Sequence, residues 1–373
     1  VRVIVVGGGV VGTMHAWQAV ERGHEVVQIE REAEARGASL RNFGLVWVGG
    51  RAHGEELGAA LRARELWEAI AARVPDLGFR ASGSLTPVRT ARERAVAEEA
   101  LSRPEAAARG HQLLTAAETR ALNPALRGEF TGALYCERDA QVEPRTAQLA
   151  LRAALDGSGR YTFLPGREVR EVLDRGAVRD DHGEVHRGDQ VVLCTGAWLG
   201  GLVRELAPQL PVRRVRLQMM QTAPLGETLT TSVADADSFR YYPAYAGGAL
   251  DALNSGQPQP EVAAAHKMQL LMVQRRDGGL TLGDTHEYAQ PFGFDVAEEP
   301  YAHVREVAET LLGRPLPRIV RRWAGVYAQC TDTTRLVHRE QVREAAWLVT
   351  GPGGRGMTCS PAIAEQTAEA LGW

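Results

Sequence analysis

Lysine is almost absent from this chain: Lys267 is the only one among 43 basic residues, and all the others are arginine. That reads as coding bias rather than mechanism. The formal net charge is -3, and the basic residues are spread along the chain, so no field forms that would attract a nucleic-acid backbone. Apolar runs stay far short of the roughly 20 residues needed to cross a bilayer. The start "VRVIVV" passes directly into a strand, with no charged leader region or cleavage site. A soluble, cytoplasmic protein is the expectation. Four cysteines, Cys136, Cys194, Cys330 and Cys359, lie too far apart for a C-x-x-C redox or zinc motif, which favours free thiols in a reducing compartment. Ten histidines show no H-E-x-x-H spacing, so no metal is expected. No internal repeat is visible.

What is present begins with "RVIVVGGGVVGTMHAWQAVERGHEVVQIERE". A short β-branched run at residues 3–6 leads into Gly7, Gly9 and Gly12 in the order G-x-G-x-x-G. A helical stretch with Ala16, Ala19 and Val20 on one face follows, and then a second strand ending at Glu30. In such a βαβ unit Gly7 permits the tight turn, Gly9 lets a pyrophosphate approach the helix N-terminus, and Gly12 lets helix and strand pack closely. A carboxylate at the position of Glu30 accepts both hydroxyl hydrogens of an adenosine ribose.

With 373 residues, 44% of them hydrophobic, the chain can bury a full core, and its length suggests two domains. Residues 35–50, "ARGASLRNFGLVWVGG", hold Ser39, Arg41 and Asn42 in a small-residue loop suited either to a flat ligand or to an ordinary surface turn. Residues 62–74 read as an amphipathic helix, 91–108 as a solvated helix, and a further helix starts near Pro144. A strand at 190–194 runs into Thr195 and Gly196. From Pro211 to Gly325 the alternating pattern indicates one antiparallel sheet, with a hairpin across "DGG" pairing residues 271–276 with 280–283. The Gly/Pro/Gln-rich residues 249–267 read as a mobile loop or lid. Near the end, "GPGGRGMTCSPAIAE" (residues 351–365) packs four glycines before a helix, either a plain connection or a backbone that something must approach closely.

Taken in order, "VIVVGGGVVG" with Glu30, "GASLRNFG", "VVLCTGAW", "LTLGDTHE", "RRWAG" and "GPGGRGMTCSPAIAE" resemble the D-amino-acid oxidase, glycine oxidase and sarcosine oxidase superfamily along the whole chain. They are most similar to its branch associated with phosphonate breakdown. The resemblance implies an α/β fold: a Rossmann-like FAD-binding domain made of residues 1–80, 142–210 and 325–373, with an inserted, mostly antiparallel substrate domain made of 81–141 and 211–324. It implies cofactor contacts from Gly7, Gly9, Val10, Val11, Gly12, Glu30, Arg31, Ser39, Arg41, Asn42, Val169, Thr195, Gly196, Trp198, Gly325, Gly353, Gly354, Gly356, Met357 and Thr358. The C-terminal glycine loop would then lie beside the flavin ring, with a helix N-terminus to stabilise negative charge there.

The resemblance also implies oxidation of a small amine, with oxygen or another acceptor taking the electrons. Three departures matter. Tyr327 stands where amino-acid-oxidising relatives carry a carboxylate-binding arginine, Thr281 replaces a lysine thought to assist oxygen, and Gly325 replaces the cysteine that attaches flavin covalently, so FAD is expected to be non-covalent. Candidate anchors for an anionic substrate are Arg240, Arg275, Arg276, Arg321, Arg322 and above all Arg355, with Tyr241, Tyr242 and Tyr327 as hydroxyl donors. The substrate this favours is an aminophosphonate or its N-methyl derivative. A glycine-, sarcosine- or D-amino-acid-type enzyme, or a flavin-binding partner subunit without turnover, are the alternatives.

Overall fold

The computed structural model describes residues 1–373. Its first sheet has six strands in the order His338–Arg343, Ala346–Thr350, Gln190–Leu193, Arg2–Val6, Glu25–Glu30, Tyr161–Pro165, parallel except for the first, an antiparallel edge. Period-2 alternation sends Val3 and Val5 into the core shared with helices Val10–Glu21, Glu55–Arg73, Pro144–Asp156 and Gly356–Leu371. Ile4 and Val6 point the other way, toward the small sheet Val169–Leu173, Ala177–Asp180, Val185–Arg187. Each such buried valine or isoleucine contributes about 1.5–3 kcal/mol. Covering both faces is what makes these strands nearly continuously apolar.

The second sheet has eight strands, in the order Ile319–Cys330, Val212–Pro224, Gly279–Gly283, Leu271–Gln274, Ser232–Ala234, Ser84–Val88, Gly132–Cys136, His111–Thr115. All its pairings are antiparallel except that of Ser232–Ala234 with Ser84–Val88. Strands from residues 81–141 and from beyond 211 therefore share one sheet. No break falls at residue 325, because Ile319–Cys330 is a single strand and Gly325 is paired with Leu217 inside it. The hairpin across Asp277, Gly278 and Gly279 forms with Gln274 opposite Leu280.

Three local expectations change. The first long helix starts earlier, at Glu55. The helix expected over 91–108 is interrupted after Leu101, just before Pro104, which lacks a backbone N–H. It is also less solvated than its charge suggests, since Val96, Ala97 and Ala100 are buried. Residues 249–267 are not a free loop. They form helices Gly248–Gly256 and Glu261–Ala265, anchored by buried Leu250, Leu253 and Ala263 and by Ala249 N–H donating to Glu99 at 2.8 Å. The residues Gln257–Pro260 separate the two helices, and their composition masks the i, i+3 pair Leu250 and Leu253 in the first of them.

Candidate active site

The glycine triplet is a cradle closed by backbone. Gly7 adopts φ +111°, its N–H donates to Ile29 O at 2.8 Å, and a Cβ there would lie 2.3 Å from Cys194 O. A Cβ on Gly12 would lie 2.2 Å from Gly7 O. Neither position has room for a side chain. Gly9 differs, because its added Cβ would meet only Ser39 Oγ, at 2.9 Å. Gly9 caps the helix Val10–Glu21, and Ser39 accepts from Val10 N–H at 2.8 Å, which brings the second loop onto the helix N-terminus, where Val11 lies in the first turn. Glu30, nearly buried at the end of its strand, accepts from Gly8 N–H at 2.6 Å and Glu32 N–H at 3.0 Å. A carboxylate has about four acceptor sites, so two remain for ribose hydroxyls.

The side chain of Asn42 is engaged within its own turn, with Ala38 O, Ser39 O and Gly44 N–H, so its part is to shape the loop. Arg41 donates to Ala324 O at 3.1 Å, and its backbone O would lie 3.2 Å from a Cβ on Gly325, which fixes the loop against the second sheet. Thr195 Oγ1 is buried without a partner, while Gly196 O accepts from Thr350 at 3.0 Å. Arg31 stacks on Trp198 at 4.2 Å, and Trp198 is half exposed, so this pair sits at the outer edge. Val169 is buried at the start of the small sheet.

Trp67, fully buried, donates to both Met357 O and Thr358 O at 3.1 Å and so fixes the first turn of the C-terminal helix, Gly356–Leu371. Thr358 Oγ1 accepts from Trp47 N–H at 2.9 Å and donates to Leu45 O at 3.1 Å. Gly353 takes φ +64° against Gln329. Gly354 faces the ring of Tyr327, whose hydroxyl would be 3.7 Å from a Cβ placed there.

Of the nine substrate candidates, the structure brings the three tyrosines together and places the six arginines elsewhere. Tyr327 and Tyr242 belong to one aromatic group beside the glycine loop. Arg355 does not reach it. Its guanidinium donates to Pro352 O (3.0 Å), Thr333 O (3.0 Å), Arg335 O (2.7 Å) and Glu56 Oε2 (3.1 Å), with both partners of the ion pair buried. It is a clamp that holds the glycine loop, and its donors are not free for an anion. Arg275 is buried too, donating to Phe43 O at 2.7 Å, and burial pulls its pKa down to about 10. It lines a cleft of about 490 Å³ with Arg145, Arg276 and Arg321, where Asp76, Glu143 and Asp277 interleave with the four arginines and offset most of their charge. Arg240 is tied to Asp237 and Asn254, and Arg322 to Glu298.

The sequence points to Tyr241, Tyr242 and Tyr327 but not to Trp47, His286, Tyr288 and Asp284, which complete their group. Trp47, Tyr242, Tyr241, His286 and Tyr288 follow one another in a row, with ring centroids 5.6, 5.0, 4.3 and 6.4 Å apart. Tyr288 also packs on the Val215–Leu217–Tyr327 cluster. Asp284 lies among these rings, 6% exposed, with Oδ2 3.8 Å from His286 Nε2 and Oδ1 without a partner. Burial raises its carboxyl above the usual range. Burial likewise raises the phenols of Tyr241, Tyr242 and Tyr327, so they stay protonated as donors. Arg51, buried beside Tyr242, donates to Thr358 Oγ1 at 3.3 Å. At the outer end, Arg213 and Lys267 lie over the Tyr288 ring at 4.3 and 4.7 Å. The available signal was the stretch "GDTHEY", which puts an acid, an imidazole and a phenol at the end of a strand.

Residues 2–370 match the family model described as FAD dependent oxidoreductase. The chain belongs to this family. The glycine oxidase of Pseudomonas aeruginosa is 26% identical over 99% of this chain and 94% of its own length. The D-amino-acid oxidase of Streptomyces coelicolor is 31% identical over 70% of this chain and 74% of its own. Among solved structures, glycine oxidase from Geobacillus kaustophilus covers 100% of this chain and 95% of its own with a TM-score of 0.79 at 21% identity, a likeness of fold. The chain is thus an FAD-dependent oxidoreductase of the glycine oxidase and D-amino-acid oxidase type.

FAD fits the residues present. The cradle at Gly7, Gly9 and Gly12 excludes side chains where a pyrophosphate must approach backbone, Glu30 keeps acceptor sites for a ribose, and the buried Thr195 hydroxyl lacks a protein partner. Bound there, FAD supplies a ring that accepts a hydride from a carbon next to nitrogen. The fold that holds it has no helix long and apolar enough to cross a membrane.

Proposed function

We propose that this oxidoreductase acts on a small amine carrying an anionic group, an aminophosphonate or its N-methyl derivative being the favoured form, and oxidises the carbon next to nitrogen. The observation that carries the reading is the pair Arg213 and Lys267 at the open end of the aromatic row. Arg213 is hydrogen-bonded only to Gln329 Oε1, at 3.0 and 2.7 Å, and Glu287, the carboxylate beside Tyr288 in the chain, is paired with Arg216 instead, at 2.7 Å. Two unneutralised cations at a site entrance attract an anion and orient it as it enters. Tyr327, at the position of the relatives' carboxylate-binding arginine, moves that role outward and leaves the inner cage to the amine.

The chain's own residues do the positioning. The tyrosines and Trp47 wall the cage and exclude water, and Tyr327 faces the glycine loop. The substrate loses a hydride from carbon while the nitrogen lone pair closes a C=N bond. Water then hydrolyses the imine to a carbonyl compound and an amine or ammonia, and oxygen or another acceptor takes the two electrons. An unsubstituted amino acid is the second reading, favoured by the glycine oxidase and D-amino-acid oxidase relatives. Lys267→Met with Arg213→Gln is expected to raise the KM for 2-aminoethylphosphonate by about tenfold or more, a loss of about 1.4 kcal/mol or more, with little change for propylamine. Equal effects on both amines would remove the anion from this reading.

A further inference from the structure

We infer that Asp284 is the group that receives the substrate's nitrogen: its carboxylate binds the ammonium and takes one proton from it before the hydride leaves. This rests on the amine reading above. A comparison within the molecule sets Asp284 apart. Asp139 is also buried, but its oxygens accept from Val48 N–H (2.5 Å), Gly49 N–H (2.9 Å) and Ser84 Oγ (2.6 Å), which satisfies them and fixes the Trp47 segment. Asp235 accepts from Leu270 N–H at 3.1 Å. Asp284 Oδ1 accepts from nothing. A buried carboxylate oxygen without a donor is costly, and the groups facing it are the phenols of Tyr241, Tyr242, Tyr288 and Tyr327 and the imidazole of His286.

Tyr327 Oη lies next to Gly354 and faces the phenol of Tyr241. A carboxylate with a free lone pair, walled by aromatic rings, is the chemistry that holds an ammonium group.

The proton balance closes within the site. The ammonium N–H bond breaks with its electron pair left on nitrogen, an O–H bond forms on Asp284, and the freed lone pair then drives C=N formation as the hydride departs. His286 Nδ1 lies 2.8 Å from the carbonyl of Lys267, which can only accept, so Nδ1 carries the hydrogen and Nε2 presents a lone pair toward Asp284. Nε2 is therefore the ring atom that can accept a proton from Asp284.

The test uses the FAD-loaded enzyme and the ammonium ion, which has no carbon to oxidise. Ammonium chloride, compared with sodium chloride at equal ionic strength, is expected to perturb the flavin spectrum of the native enzyme saturably, and Asp284→Asn to abolish this. In anaerobic flavin reduction by an amine, Asp284→Asn is expected to lose about 10²–10⁴-fold and to lose the limb in which the native rate rises with pH above the usual carboxylate range. Asp284→Glu should keep that limb and part of the rate, and it serves as the test if the asparagine variant fails to retain flavin. A native spectrum indifferent to ammonium, or identical ammonium affinity in native and variant enzyme, overturns the assignment. An enzyme that binds ammonium through Asp284 yet is reduced by no amine would instead defeat the proposed function.

Discussion

Gly9→Val is expected to give a folded protein that carries no flavin. The three glycines of the cradle are not equivalent. Side chains at Gly7 and Gly12 would run into the carbonyl oxygens of Cys194 and Gly7, both part of the framework, so substitutions there attack the fold itself. At Gly9 the added Cβ meets only the rotatable hydroxyl of Ser39, so the sheet and helix can form. The remaining valine atoms then stand where a pyrophosphate must meet the N–H groups of the helix N-terminus. Losing two hydrogen bonds to a charged group costs about 3 kcal/mol or more, over a hundredfold in affinity. Flavin absorbance should be lost while far-ultraviolet circular dichroism matches flavin-stripped native protein; yellow Gly9→Val protein would contradict the cradle. Because Gly325 stands where the resemblance to sarcosine oxidases implies the attaching cysteine, acid precipitation of the native protein should leave its flavin in the supernatant.

Arg355→Ala should destabilise the fold and leave substrate binding little changed. Removing the guanidinium strips Glu56 of its 3.1 Å partner and leaves the carbonyls of Thr333 and Arg335 without their donor, while Pro352 O keeps only the backbone N–H of residue 355 at 3.3 Å. Breaking a buried pair from one side costs about 3–5 kcal/mol. The lower end applies, because Arg51 remains 3.9 Å from Glu56. Urea unfolding of the holoenzyme measures the loss. A large rise in KM for the anion-bearing amine with unchanged stability would instead return Arg355 to the substrate.

The contrast between Arg355 and Asp284 shows where sequence reading stops. Backbone-dictated features were readable at once: β-branched runs, a glycine triplet whose spacing matches one turn of chain, an acid at a strand end, and a glycine-rich entry to a helix. Each of these is local, and each found its place in the first sheet and its helices. Side-chain assignments were not local. Arg355 sits in the right loop but points toward Glu56, 299 positions away in the chain. The aromatic row draws on residues 47, 241, 242, 286 and 288, which only the folded sheets bring side by side. The helices within 249–267 were hidden for another reason: proline and glutamine in four linker residues outweighed a short apolar face on each side.

The most direct test of amine oxidation is anaerobic mixing of the FAD-loaded enzyme with aminophosphonates, N-methyl amines, glycine and D-amino acids, following flavin absorbance. The account predicts bleaching, fastest with a small amine bearing a phosphonate, with a carbonyl product and ammonia or methylamine released in step. Flavin that every amine leaves oxidised, although dithionite reduces it, would contradict the account.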